Sequence, residues 1–239
     1  MSHKEGKMYS NSANKSVTAT QYDEGLRQFM QSVFNNMATG LAISAVISFL
    51  VGTNPELLKL FFAGPQRWVV MLAPLAMVFF ISFRVHTMRP ETARLWFFAY
   101  AAVMGLSLAT IFVVYKMGSI VTVFFASSAM FGGMALYGHT TKRDLTQLGS
   151  FFIMGVWGIV IAGLINLFFM SSVVTTAISI VAVVLFAGLT AYDVQMLRAM
   201  YDGLDYEDRE RSGVIGALSL YLDFINMFMS LLQLFGERK

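Results

Sequence analysis

The sequence predicts an all-α integral membrane protein of about seven transmembrane helices, on three observations. Of 239 residues, 56% are hydrophobic and only 13% charged, against roughly 25% charged in an ordinary soluble domain. The apolar residues gather in runs close to the ~20 residues a helix needs to cross ~30 Å of hydrocarbon. These runs do not alternate in polarity: Val181 to Phe186 is continuously apolar, whereas a barrel strand alternates over segments of ~10 residues.

The expected spans are Phe29 to Val51, Trp68 to Phe83, Leu95 to Tyr115, Ile120 to Tyr137, Phe151 to Met170, Val173 to Tyr192 and Val214 to Phe235. Residues 1–24 are rich in Ser, Asn and Lys; too little apolar surface is present to offset the entropy of ordering, so they are expected to form a flexible cytoplasmic tail. The first apolar run starts late and is too long for a signal-peptide core, so it is expected to stay as the first membrane helix. No linker between runs is long enough for a second domain, which makes residues 25–239 one seven-helix transmembrane domain. Small residues such as Ser128 with Gly132, and Gly155, Gly158 and Gly163, are expected to let helices approach closely.

Charge sets orientation. Across seven crossings most of the 17 Lys and Arg, including Arg27, Arg84, Lys142, Arg143, Arg198 and Arg211, fall on one side, and Lys59, Arg67, Lys116, Arg238 and Lys239 on the other. The positive-inside rule puts the amino terminus in the cytoplasm. A re-entrant last segment remains compatible with the same count. The basic residues form no groove-lining stripe, so nucleic acid is not an expected partner. Absence of cysteine excludes disulfides and thiolate chemistry.

Charges inside apolar segments cost ~2.5–3.5 kcal/mol each on insertion scales and are functional candidates. Three stand out: Arg84 at the end of the second segment, Asp193 at the end of the sixth and Asp223 inside the seventh. The topology brings all three to the cytoplasmic side, with Asp223 roughly 14 Å into its helix. An ion pair or shared proton among them lowers the cost of burial. In the seventh segment Ser219, Asp223, Asn226, Ser230 and Gln233 recur at helical spacing on one face. Such a stripe avoids lipid, and two readings stay open: it lines a water or ion path, or it makes interhelical hydrogen bonds. Two nearby aspartates suit a hard cation such as calcium, held transiently, and also a proton shared between them. The acidic run Asp202, Asp205, Glu207, Asp208 and Glu210 lacks a calcium-loop pattern and reads as a solvated loop.

Three stretches, Tyr137-Gly-His-Thr-Thr-Lys-Arg-Asp-Leu145, Gly188-Leu-Thr-Ala-Tyr-Asp-Val-Gln195 and Ala217-Leu-Ser-Leu-Tyr-Leu-Asp-Phe-Ile-Asn226, resemble the Bax inhibitor family, in its bacterial form. The resemblance covers nearly all of the chain after the tail. It implies seven helices with the last packed centrally within the other six, in a bacterial inner membrane. It implies a pH-sensitive calcium leak channel gated by an aspartate pair, Asp193 and Asp223, with an arginine, Arg84; Arg89 is the alternative position. Some bacterial relatives associate with a membrane-anchored AAA protease, so a regulator bound to another membrane protein is the second expectation. A third, an intramembrane aspartyl protease, is disfavoured: that family needs glycines before its second aspartate and a Pro-Ala-Leu segment, whereas Leu220, Tyr221 and Leu222 precede Asp223 and no proline follows Pro90. The chain is therefore expected not to be an enzyme and to carry no cofactor, with calcium as a permeant ion.

Overall fold

The computed structural model of the chain describes residues 2–201 and 205–239. Of the expected tail, Met1 lies outside the described residues, as does Asp202 of the acidic run. The architecture is all-α: α1 (Ser2–Gly52), α2 (Pro55–Phe62), α3 (Gln66–Arg84), a 3-10 turn (Val85–Thr87), α4 (Pro90–Leu108), α5 (Ile111–Val114), α6 (Met117–Thr140), α7 (Thr146–Phe169), α8 (Ser172–Met200) and α9 (Tyr206–Phe235). Among the described residues, seven helical stretches are long and apolar enough to cross a membrane: Tyr22–Gly52, Gln66–Arg84, Pro90–Val114, Met117–Thr140, Thr146–Phe169, Ser172–Met200 and Asp208–Phe235. They coincide with the seven apolar runs read from sequence, because an apolar run of that length has only one way to satisfy its backbone in lipid.

Local chemistry sets the helix ends. The Asn54 side chain accepts from the amides of Glu56 and Leu57 and, with Pro55 at the first helical position, starts the short α2. At the α7–α8 turn, the Asn166 amide donates to Ser171 O and Thr175 Oγ1 while its Oδ1 accepts from the Ser171 amide. Asn166 is thus satisfied within a turn. Pro74 stands inside α3; it donates no backbone hydrogen bond, which weakens that helix at its middle.

Burial is unequal. In α9, 67% of the membrane-length window is buried, against 39% in α8, 17% in α3 and none in α7. The principal neighbours of α9 are α8, α1, α6 and α4, whereas α3 rests mainly on α4 and α7 on α8. Phe168, Phe83 and Trp157 are among the large apolar side chains left exposed, the surface that lipid covers. The interior holds Val33, Phe97, Tyr100, Leu220, Tyr221, Met227 and Leu232. Tyr221 meets Phe97 and Tyr100 edge to face, and its hydroxyl lies 2.6 Å from Ser44 Oγ, which donates at 2.7 Å to Ala101 O. One buried network therefore ties α1, α4 and α9 together.

The glycines that permit close approach are not the ones spacing selected. A Cβ at Gly132, Gly158 or Gly163 meets nothing within 4 Å, so these three face open space; of the expected set only Gly155 packs, against Leu185. The tight crossings lie at Gly105, where a Cβ would sit 2.7 Å from the Ser44 backbone, and at Gly138, where it would collide with the Ala191 backbone. Helical spacing identifies a face, and only the fold decides whether that face meets lipid or protein.

Candidate functional site

The site lies where α8 and α9 pack side by side. With 29 and 30 residues, each helix is about 45 Å long at 1.5 Å per residue, longer than a ~30 Å hydrocarbon layer. The last turns of α8 and the first of α9 therefore reach the membrane edge together. Asp193 stands about two turns from the end of α8, half-buried, with the Ser219 hydroxyl of α9 beside it. Asp223 lies one turn deeper than Ser219 on the same face. It is 5% exposed, its charged neighbour is Asp193, and its Oδ2 has no hydrogen-bond partner among the described residues.

A cavity of about 340 Å³ opens beside Asp193, lined by Asp193, Ser212 and Ser219 together with Asp208, Arg211 and apolar residues of both helices; Asp223 is not on its lining. Arg211 crosses its mouth: Nε donates to Met88 O at 3.1 Å and Nη1 pairs with Asp208 Oδ1 at 3.1 Å. The segment following α3 is thereby tied to the first turns of α9. Arg84, by contrast, is exposed and makes no hydrogen bond or ion pair through its side chain among the described residues, and Arg89 is likewise exposed. The structure thus brings Asp193, Ser219 and Asp223 together and leaves Arg84 outside the group. The arginine at the cavity is Arg211, which sequence reading treated only as a topological charge.

The polar stripe of α9 has an unexpected distribution. Its apolar sides are sealed, with Ala217, Leu220, Tyr221, Phe224 and Met227 buried; Ser219, Asn226, Ser230 and Gln233 are all half-buried. Asn226 donates to Leu222 O and Ser230 to Asn226 O within their own helix, a bonding pattern that asks nothing of a neighbouring helix. Among the described residues the ends of the stripe reach across to other segments, Ser219 beside Asp193 on α8 and Gln233 as acceptor of the Tyr115 hydroxyl just after α5 at 3.2 Å. Interhelical hydrogen bonding therefore does not explain its middle. No cluster of three or more His, Cys, Asp or Glu side chains suited to a metal occurs among the described residues. Two carboxylates with hydroxyls and carbonyls can hold a cation only loosely.

The sequence motifs turn out to be spatial partners. Gly138 meets the Ala191 backbone, Arg198 donates to His139 O, and Gln195 clasps the α6–α7 turn, donating to Arg143 O and accepting from the Leu145 amide, both at 2.8 Å. In that turn, outside the membrane segments, hydrogen bonds from the Thr146 hydroxyl and amide hold the Asp144 carboxyl below the usual carboxylate range. The stretch at 137–145 is thus the seat on which the Asp193 end of α8 rests.

The sequence profile of the family described as "Inhibitor of apoptosis-promoting Bax1" matches residues 26–239. A protein of Borreliella burgdorferi is 42% identical over 215 residues, covering 89% of this chain and 93% of its own. One of Rickettsia prowazekii is 38% identical over 231 residues, 94% of this chain and 98% of its own. The inner membrane protein YbhL of Escherichia coli is 36% identical over 229 residues, with the same 94% and 98% coverage. With the family profile spanning all seven membrane helices and these relatives matching nearly end to end, the chain belongs to the Bax inhibitor family of multi-pass membrane proteins.

Proposed function

We propose that this protein is a pH-sensitive calcium leak channel of a bacterial inner membrane, gated by Asp193 and Asp223 with Arg84, its Arg-rich end and amino terminus in the cytoplasm. The observation that carries the reading is the Asp223 carboxylate: buried, with one oxygen unpartnered, and beside a second carboxylate that faces a cavity. Such a pair is tolerable in a membrane only when it holds a proton or a cation. Loss or gain of that proton changes the charge at the end of the α8–α9 seam by one unit. The half-buried stripe below, from Ser219 through Asn226 and Ser230 to Gln233, continues a polar track along α9. Calcium moves down its gradient, exchanging the two carboxylates, hydroxyls and water as ligands in turn.

The moving part in this proposal is α3. It rests mainly on one neighbour, carries Pro74 at mid-length, and is held to α9 through Arg211 and Met88 O just beyond its end. Arg84 in its last turn is the cation that approaches the carboxylates as α3 shifts. Location in the inner membrane follows the relative YbhL, and orientation follows the positive-inside rule.

Calcium flux into liposomes, measured between about pH 6 and 8, tests this. Wild type conducts and responds to pH; Asp193→Asn and Asp223→Asn each change flux by about tenfold, equivalent to about 1.4 kcal/mol in the barrier, and abolish the pH response. Flux and pH response equal to wild type in both variants remove the pair from the mechanism.

A further inference from the structure

On the Arg-rich end, a second recess of about 660 Å³ opens between α1, α6 and α8, away from the carboxylate pair. α1 and α6 make no extended contact and α1 and α8 touch only briefly, so the recess is a lateral groove in the membrane-facing surface. Its mouth carries Arg27, His139 and Arg198, all exposed. Arg27 makes no side-chain hydrogen bond or ion pair among the described residues, and Arg198 spends one nitrogen on His139 O, leaving the rest of its fork free to donate. Asp23 is the one carboxylate on the lining; against two guanidinium groups it leaves the mouth positive.

Below the mouth the lining turns apolar. Phe34 on α1 and Phe131 on α6 lie two helical turns inward of Arg27 and His139, about 10–12 Å at 1.5 Å per residue. Between them Gly132 opens the wall, with nothing within 4 Å of where its Cβ would be. A soluble anion uses the mouth and leaves this wall bare. In a bilayer the wall is filled by a chain that continues from the anion, and clustered basic residues between membrane helices favour anionic headgroups.

We propose that this groove seats an anionic phospholipid, its phosphate between Arg27 and Arg198 and one acyl chain along Phe34, Phe131 and the gap at Gly132. Charge at the mouth selects the headgroup; the apolar wall takes the chain. The seated lipid bridges α1 to α6 and adds to the packing of Tyr22 and Phe29 on Tyr201 at the end of α8. This site is separate from the α8–α9 cavity and stands or falls independently of the channel proposal.

Native mass spectrometry of the full-length protein in mild detergent tests it, with phosphatidylglycerol and phosphatidylcholine of matched chains as probes and glycerol 3-phosphate as a soluble competitor. Wild type should retain phosphatidylglycerol over phosphatidylcholine by about fivefold. Arg27→Gln with Arg198→Gln should equalise the two lipids. Gly132→Phe, which keeps both arginines and enters open space, should reduce retention of both lipids at an unchanged Tm. Equal retention of the two lipids by wild type overturns the proposal, and so does an unaltered preference in the folded double-arginine variant. If that variant does not fold, Gly132→Phe decides, and full retention there overturns the seat. Displacement of phosphatidylglycerol by glycerol 3-phosphate at comparable concentration would reveal a plain anion site and overturn it too.

Discussion

The two ends of α9 are built on opposite principles. Beyond its carboxyl end the chain is strapped to the start of α6. The Lys116 amide donates to Glu237 O and the Lys239 amide to Val114 O, at 2.9 and 3.0 Å. The Glu237 amide donates to Ser119 Oγ, Lys116 pairs with Glu237 at 3.0 Å, and Lys239 Nζ reaches Phe112 O at 2.6 Å. Toward its amino end α9 is held differently: Asp223, near mid-length, keeps an oxygen unpartnered among the described residues beside Asp193, and Arg211, in the second turn, joins the segment after α3 to the helix through Met88 O. Redundant bonds make the strapped end an anchor; the loss of any single bond leaves the others. The carboxylate end instead buries a poorly satisfied charge, and the proposed gating places the protonation-driven motion there.

Breaking the pair tests the comparison hardest. Asp223→Asn should alter calcium flux by about tenfold and also stabilise the fold by about 1–3 kcal/mol at a pH where the acid is ionised, because a neutral amide removes a buried negative charge from beside Asp193. Thermal unfolding of purified protein reads the second effect, and a lower Tm would contradict it. Arg211→Gln should loosen the carboxylate end alone: hydrogen exchange at residues 85–89 rises by about tenfold, equivalent to about 1.4 kcal/mol in local opening, while exchange at 114–119 stays as in wild type. Tyr221→Phe removes a buried hydrogen bond to Ser44 and should cost about 1–1.5 kcal/mol in chemical denaturation without touching the pH response of flux. Lys116→Ala removes a pair exposed by 58% and 70% and should cost under about 1 kcal/mol, because the backbone bonds of the strap remain.

Asp144 supplies the control for pH. Its carboxyl is held below the usual range by Thr146, so what it contributes to stability is complete above about pH 4 and is lost only as pH falls through the lowered value. It is silent between about pH 6 and 8, and Asp144→Asn should leave the flux profile there unchanged.

Much of this contrast was legible from residues alone, and the exceptions have physical causes. The seven spans were readable because apolar length permits one backbone solution. Asp193 and Asp223 stood out because charge in an apolar run is costly, and the stripe on α9 followed from helical spacing. Arg211 did not stand out: it precedes the apolar run, and its bond to the segment after α3 goes to a backbone carbonyl at Met88, which no side-chain pattern encodes. The strap left little signal because most of its bonds use a main-chain atom on at least one side, and its one ion pair, Lys116 with Glu237, joins residues 121 apart in sequence. Glycines at Gly132, Gly158 and Gly163 misled because spacing does not distinguish a lipid-facing side from a packed one, whereas Gly138 sat inside a recognised motif whose packing role only the fold made visible.

The most direct test of the central claim uses the absence of native cysteine, which lets spin labels be placed by paired Cys substitutions. One pair, at the exposed Phe83 and Met200, reports the carboxylate end; a second, at Gly118 and the exposed Phe235, reports the strap. Between about pH 6 and 8, the distance distribution at the first pair should shift and that at the second stay fixed, with the shift lost in Asp223→Asn. A distribution at Phe83 and Met200 that is indifferent to pH, or a shift that appears at the strap instead, would contradict the assignment of the aspartate pair as the gate.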